Sequence, residues 1–128
     1  MEIIFSNYSK GNIDKSLIRK IARRSSRKKW TVNMSFVSKS KIRELNRKYR
    51  KKNMPTDVLS FYMGEDGILG DVIICSEVAK ENAKRFGSGY KAEIARLAAH
   101  GILHLLGFRH GKKMFDFQDK ITGGINYA

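Results

Sequence analysis

Cysteine and proline are almost missing from this 128-residue chain, which has one of each, Cys75 and Pro55. A single cysteine excludes an internal disulfide, so nothing calls for an oxidising compartment. No stretch approaches the roughly 20 consecutive apolar residues that cross a bilayer. Met1-Glu2-Ile3-Ile4-Phe5 reads as a strand rather than as a signal peptide. These absences lead us to expect a cytoplasmic protein with no membrane partner. Repeats, low-complexity tracts and linkers are also missing. Acidic residues are scarce in one part of the chain only: residues 1–53 hold 17 Lys+Arg against 3 Asp+Glu, whereas residues 54–128 hold 9 of each. The whole net charge of +14 therefore belongs to the first part. Such a field attracts polyanions, with nucleic acid the favoured partner and an acidic membrane surface or a merely solvated surface the alternatives.

What is present suffices for one core. Hydrophobic residues make up 41% of the chain, which excludes a disordered composition, and a chain of this length buries roughly two-thirds of its unfolded surface. Periodicity predicts a short strand over residues 2–5 and a helix from Asp14, as N-cap, to about Lys29. Thr31–Val37 alternates as a half-buried strand. Ser38 then caps a helix over Lys39–Tyr49, with Ile42, Leu45 and Tyr49 inward. A basic loop over residues 50–56 precedes a strand over Val58–Phe61, and residues 62–70 read as a turn-rich connection. Asp71–Cys75 reads as a strand buried on both faces. Ser76 caps a helix to Phe86, ended by Gly87. A longer helix runs from Tyr90 to Leu106 and stops at Gly107, and a last short helix follows His110. The expectation is a single α+β domain over residues 1–128, with a mixed four-stranded sheet, about five helices and a zincin-like helix carrying a metal.

All three histidines fall within eleven residues, as His100-Gly-Ile-Leu-His104-Leu-Leu-Gly107-Phe-Arg-His110. Positions i and i+4 share a helix face, so His100 and His104 can point two imidazoles at one ion. Gly107 tolerates the left-handed conformation that ends a helix and lets His110 return. Three imidazoles and one open position describe a catalytic zinc site, so one Zn2+ per chain is expected. Cys75 lies in an apolar strand and reads as core rather than as a fourth ligand. The metzincin proteases share these His and Gly offsets but carry a glutamate base directly after the first histidine. Here that position is Gly101, which argues against peptide hydrolysis by that route.

The histidine block resembles the His-Gly-x-Leu-His-Leu-x-Gly-x-x-His signature of the YbeY family of bacterial endoribonucleases. Pro55-Thr-Asp-Val-Leu-Ser-Phe61 is similar to that family's Pro-Thr-Asp-Val-Leu-Ser-Phe segment, and Leu69-Gly-Asp71-Val-Ile-Ile74 to its Leu-Gly-Asp strand. Asn46-x-x-Tyr49-Arg50-x-Lys52 is similar to its basic stretch. The resemblance covers about residues 46–110. It implies a zinc-dependent endoribonuclease acting on single-stranded RNA, in maturation of the 16S ribosomal RNA 3′ end and ribosome quality control. The implied partner is the ribosome or its small subunit. Two departures stand out: Arg109 replaces the family's Asp before the third histidine, and the tail is short.

Phosphodiester cleavage builds negative charge, which a fixed guanidinium can meet. Arg50 takes this catalytic role because it matches the arginine that the family pattern associates with activity; His100 is the other catalytic candidate. Lys51 and Lys52 read as nonspecific phosphate contacts. Asp57 or Asp71 is a candidate to orient a ligand imidazole, with a turn or cap role as the alternative. Phe61 and Tyr62 are candidates for stacking on bases, with core packing favoured for Phe61. Whether water or the RNA 2′-OH attacks stays open. So do two rival classes: a metal-dependent hydrolase of another substrate such as a peptide, and a ribosome-binding factor with little catalysis.

Overall fold

A computed structural model describes residues 1–125 and 127. Among them the chain forms β1 (Glu2–Asn7), α1 (Lys15–Ser25), β2 (Thr31–Val37), α2 (Lys39–Arg50), β3 (Val58–Glu65), β4 (Ile68–Cys75), α3 (Ser76–Phe86), α4 (Tyr90–Leu105) and α5 (Lys112–Thr122). The four strands lie in the order β1-β2-β4-β3. The first three in that order run parallel, and β3 returns antiparallel to β4. The mixed α+β architecture expected from the sequence is the one observed.

Strand alternation sorts the helices between two faces. Val32, Met34 and Phe36 of β2 and Val72 and Ile74 of β4 pack against Ile18 of α1 and Ala98 and Ile102 of α4. The intervening residues Val37, Leu59 and Cys75 turn to the other face, where Ile42 of α2 covers them. A second layer joins Leu17 and Ile21 of α1, Ala95, Ala99 and Leu103 of α4, and Met114 and Ile121 of α5. α4 is thus sandwiched between sheet and helices, which explains why it is the most apolar helix. Cys75 is fully buried in the α2-side cluster, as its apolar surroundings in the sequence suggest.

Several boundaries differ from expectation for local reasons. Residues 62–70 are not a loop. β3 and β4 continue to a tight hairpin in which Asp66 and Gly67 both have positive φ (53° and 75°), the combination a type I′ turn requires. α1 stops at Ser25, whose Oγ donates to the Ile21 carbonyl (2.8 Å) before Ser26 turns extended. Arg27, Lys28 and Lys29 therefore follow the helix as a basic loop. Asp14 and Ser38 cap as expected, accepting from Leu17 N (3.0 Å) and Lys41 N (3.2 Å). Ser76 does not cap: Cys75 holds the N-cap position of α3 and Ser76 Oγ meets Ser9 Oγ at 2.9 Å. Tyr49, in the last turn of α2, is 55% exposed rather than inward, with its ring edge-on to Phe61. Ile73 of β4, on the α2 side, is only half-covered, so that strand is not buried on both faces.

Candidate metal centre

α4 places His100 and His104 one turn apart on the face that neither the sheet nor α1 covers. The helix then ends in a reversal. Gly107 has φ +96°, its N–H donates to the His104 carbonyl (3.0 Å), and Phe108 N donates to the Leu103 carbonyl (3.0 Å). The turn sends His110 back, so that its ring centroid lies 4.6 Å from that of His104 and 5.0 Å from that of His100. One ring nitrogen from each histidine falls within 4.8 Å of the other two.

The hydrogen bonds around the two helical histidines decide what this cluster can hold. His104 Nδ1 lies 3.1 Å from the Phe108 carbonyl. A carbonyl only accepts, so Nδ1 carries the proton and Nε2 presents a lone pair. His100 Nδ1 lies 3.0 Å from Oε1 of the buried Gln118 on α5, which has the same consequence. The two Nε2 atoms then face each other at 3.1 Å. Two lone pairs at that distance repel unless a cation lies between them, and nitrogens sharing one tetrahedral zinc stand roughly 3.3 Å apart. Burial lowers the pKa of His100. It does the same for His104, helped by the neighbouring imidazoles. Both effects favour the neutral form that ligates. The donor set fits a divalent ion, which His100, His104 and His110 would hold.

Gly101 has a reason of its own. A Cβ there would lie 2.5 Å from Val72 Cγ1 and 3.2 Å from Ser60 Oγ. The helix approaches the sheet so closely that no side chain fits, and Ser60 Oγ donates across the gap to the Gly101 carbonyl (3.2 Å). A carboxylate at this position would point into the sheet, not at the ion.

The histidines form one wall of a cleft of about 840 Å3, and Arg50, Lys52, Asp57, Ser60 and Tyr62 lie around it. Arg50 begins on the other face of the sheet, on α2. It reaches the cleft because β3 is an edge strand: its guanidinium lies over the Phe61 ring (5.6 Å) and donates to the outward Ser60 carbonyl (2.9 Å). Tyr49 packs edge-on against the same ring (5.3 Å). Phe61 is thus half-buried against the α2-side core, whereas Tyr62 is 68% exposed in the cleft. Lys51, the residue that turns the chain out of α2, has φ 60°, a left-handed conformation costly for a residue with a Cβ.

Neither aspartate orients an imidazole. Asp71 accepts from Asn33 Nδ2 (3.1 Å) on the α2 side of the sheet, away from the histidines. Asp57 accepts from Asn82 (3.1 Å) and lies 3.7 Å from Arg96. The orienting groups are Gln118 and the Phe108 carbonyl. Glu93 is another residue the sequence reading missed. It is buried, accepts both arms of Arg96 (2.8 and 2.7 Å) and a third bond from Asn82 (3.0 Å). That network clamps the Asp57 loop to α3 and α4. The i,i+3 spacing of Glu93 and Arg96 was the available signal; for Gln118 there was none. Arg109 is exposed.

Comparison with known proteins agrees with this geometry. A family model described as Endoribonuclease YbeY matches residues 5–125. The chain is similar to an endoribonuclease YbeY of Thermosipho melanesiensis, with 36% identity covering 85% of this chain and 86% of that one. It is also similar to one of Staphylococcus carnosus, with 43% identity covering 70% and 69%. Among solved structures, a solution structure of a Thermotoga maritima protein matches with a TM-score of 0.65 and 29% identity, over 93% of this chain and 87% of that one.

Proposed function

Because this chain belongs to the YbeY endoribonuclease family, we propose that residues 1–128 act as one zinc-dependent endoribonuclease unit cutting single-stranded RNA. Its place would be cytoplasmic, in 16S ribosomal RNA 3′-end maturation and ribosome quality control, with the small ribosomal subunit as partner. The observation that carries the reading is the pair of facing Nε2 atoms at 3.1 Å, beside a guanidinium in the same cleft.

A divalent ion bound by His100, His104 and His110 would polarise a phosphoryl oxygen and acidify water. The chain supplies the rest. Arg50 keeps one arm on the Ser60 carbonyl, which pre-orients the guanidinium toward a phosphate as charge builds. Lys52 adds a screened attraction for the strand. Exposed Tyr62 offers a face on which an unpaired base stacks, which favours single strands over duplex. The peptidase alternative has no base at Gly101, where Val72 occupies the space.

Single-turnover cleavage of a single-stranded RNA tests this, with metal content measured in parallel. Arg50→Ala should keep metal and fold and lose roughly 100-fold or more in saturated turnover, about 2.7–4 kcal/mol. Arg50→Lys should recover only part of it, since ammonium lacks the planar fork. Unchanged saturated turnover in Arg50→Ala would remove Arg50 from the machinery.

A further inference from the structure

The chain carries two cationic surfaces, and the structure places them at opposite ends of the sheet. One is the α2 end, Arg47 to Lys52, which opens onto the cleft at the β3 edge. The other is made by Arg19, Lys20 and Arg23 of α1 and by Arg27, Lys28 and Lys29 just after it, all exposed. α1 packs beside β1, and β1 and β3 are the two outer strands of the four. Three strand spacings of about 4.8 Å separate those edges by roughly 14 Å. A strand short enough to stay at the β3 edge does not reach α1.

The α1 surface is uncompensated. Among the described residues none of its six cations lies in an ion pair. α1 has no acidic residue in its first turn, and Asp14, its N-cap, is turned to Lys91 (4.0 Å). Arg19 and Arg23 are a like-charge pair at i,i+4 on α1, a spacing that destabilises a helix. The neighbouring Arg24 shows the contrast. It is committed to the fold, donating to the carbonyls of Ile121 (3.1 Å) and Gly123 (2.9 Å) at the end of α5.

The two surfaces also differ in aromatics. At the cleft, Tyr62 is 68% exposed, and such a ring selects unpaired bases. On the α1 side Phe5 is covered by Lys15 (5.8 Å) and Arg19 (5.1 Å), and Trp30, next to Lys29, is partly buried with its side chain packed against the core. Exposed Tyr8 lies past the other end of β1, beyond the start of α1. Cations without stacking faces read phosphates and shape, not bases.

We propose that the α1 face is a second RNA-docking surface, which grips the phosphate backbone of a base-paired segment while the adjoining single strand enters the cleft. The proposal rests on the endoribonuclease reading for the cleft but assigns it a substrate form: a single strand attached to a duplex.

The test uses the metal-loaded protein and two RNAs, a short single strand that fills only the cleft and the same strand joined to a hairpin. The variant is Arg19→Gln/Arg23→Gln, which keeps helix propensity and removes two charges. It should bind the hairpin RNA roughly tenfold more weakly at low salt and flatten the salt dependence by about one to two phosphate contacts. Cleavage of the short strand should be unchanged, and the Tm should hold or rise, which damage to the fold would not give. Equal losses on both RNAs, or no loss on either, would overturn the docking face. So would tighter binding to anionic phospholipid vesicles than to the hairpin. Failure of the wild type to cleave either RNA would count against the cleft reading alone, since the binding measurement still decides the α1 face.

Discussion

The two walls of the cleft are built to different standards. The histidine wall rests on α4 and α5, whose inward residues are almost all buried; His100 and His104 are held from behind by Gln118 and the Phe108 carbonyl, while His110 is exposed on the turn between the two helices. The cationic wall rests on the end of α2 and the loop after it, where Arg50, Lys51, Lys52, Asn53 and Met54 are exposed. The difference follows from the tasks. Holding an ion needs nitrogens placed within tenths of an ångström, which only packed scaffolding provides. Attracting a polyanion works over several ångströms and tolerates motion. Arg50 is the exception on its wall, since Phe61 and the Ser60 carbonyl hold it. That is why we propose it for the reaction and its neighbours for attraction.

The sharpest way to break the comparison is on the histidine wall. His104→Ala should abolish stoichiometric metal binding, because two imidazoles hold the ion far more weakly than three. Elemental analysis after dialysis reads this directly, and full occupancy would refute the site. Gly101→Glu asks whether the missing protease base can be restored. The structure answers that it cannot: the side chain would meet Val72 and bury a charge, so we expect a loss of about 3 kcal/mol or more, seen as a large drop in Tm. A folded, stable variant would show that α4 does not press on the sheet as described. A smaller effect should come from Gln118→Leu. Removing the partner of His100 Nδ1 should cost 10–100-fold in metal affinity, measured by competition with a chelator, and leave RNA affinity nearly unchanged.

The smallest effect is expected on the cationic wall. Lys51→Gly relieves the left-handed strain at φ 60° while giving the unfolded chain more freedom. Stability should rise by no more than about 1 kcal/mol, and RNA affinity should fall a few-fold with the lost charge. Urea unfolding and a salt-dependent binding curve, taken together, read both. A clear loss of stability would mean that the Lys51 side chain supports the turn.

How much was legible depended on the range of each signal. The histidine triad was readable because two members are a helical turn apart and the third follows a glycine that can reverse the chain. Helix caps at Asp14 and Ser38 were readable for the same reason, since their partners are three residues away. The hairpin at Asp66-Gly67 was missed because the glycines around it suggested a loop. Gly70 looks like a turn residue, but it stands in β4 where a Cβ would lie 2.2 Å from the Phe61 carbonyl. Asp57 and Asp71 looked equivalent as imidazole partners. Only the strand register shows that Asp71 lies across the sheet from the histidines.

By itself the sequence determined the chemical inventory: three imidazoles at ion-sharing spacing, an excess of cations confined to the first 53 residues, and motifs that mark the family. These are local or compositional properties, and folding does not change them. The tertiary structure decided which groups meet. It brought Arg50 around a free strand edge to the far side of the sheet, chose Gln118 rather than an aspartate to orient His100, and set α1 and the cleft at opposite edges. Each of these depends on strand order and side-chain direction across contacts distant in sequence. Such contacts are fixed by burial of the whole core, not by any residue's neighbours along the chain.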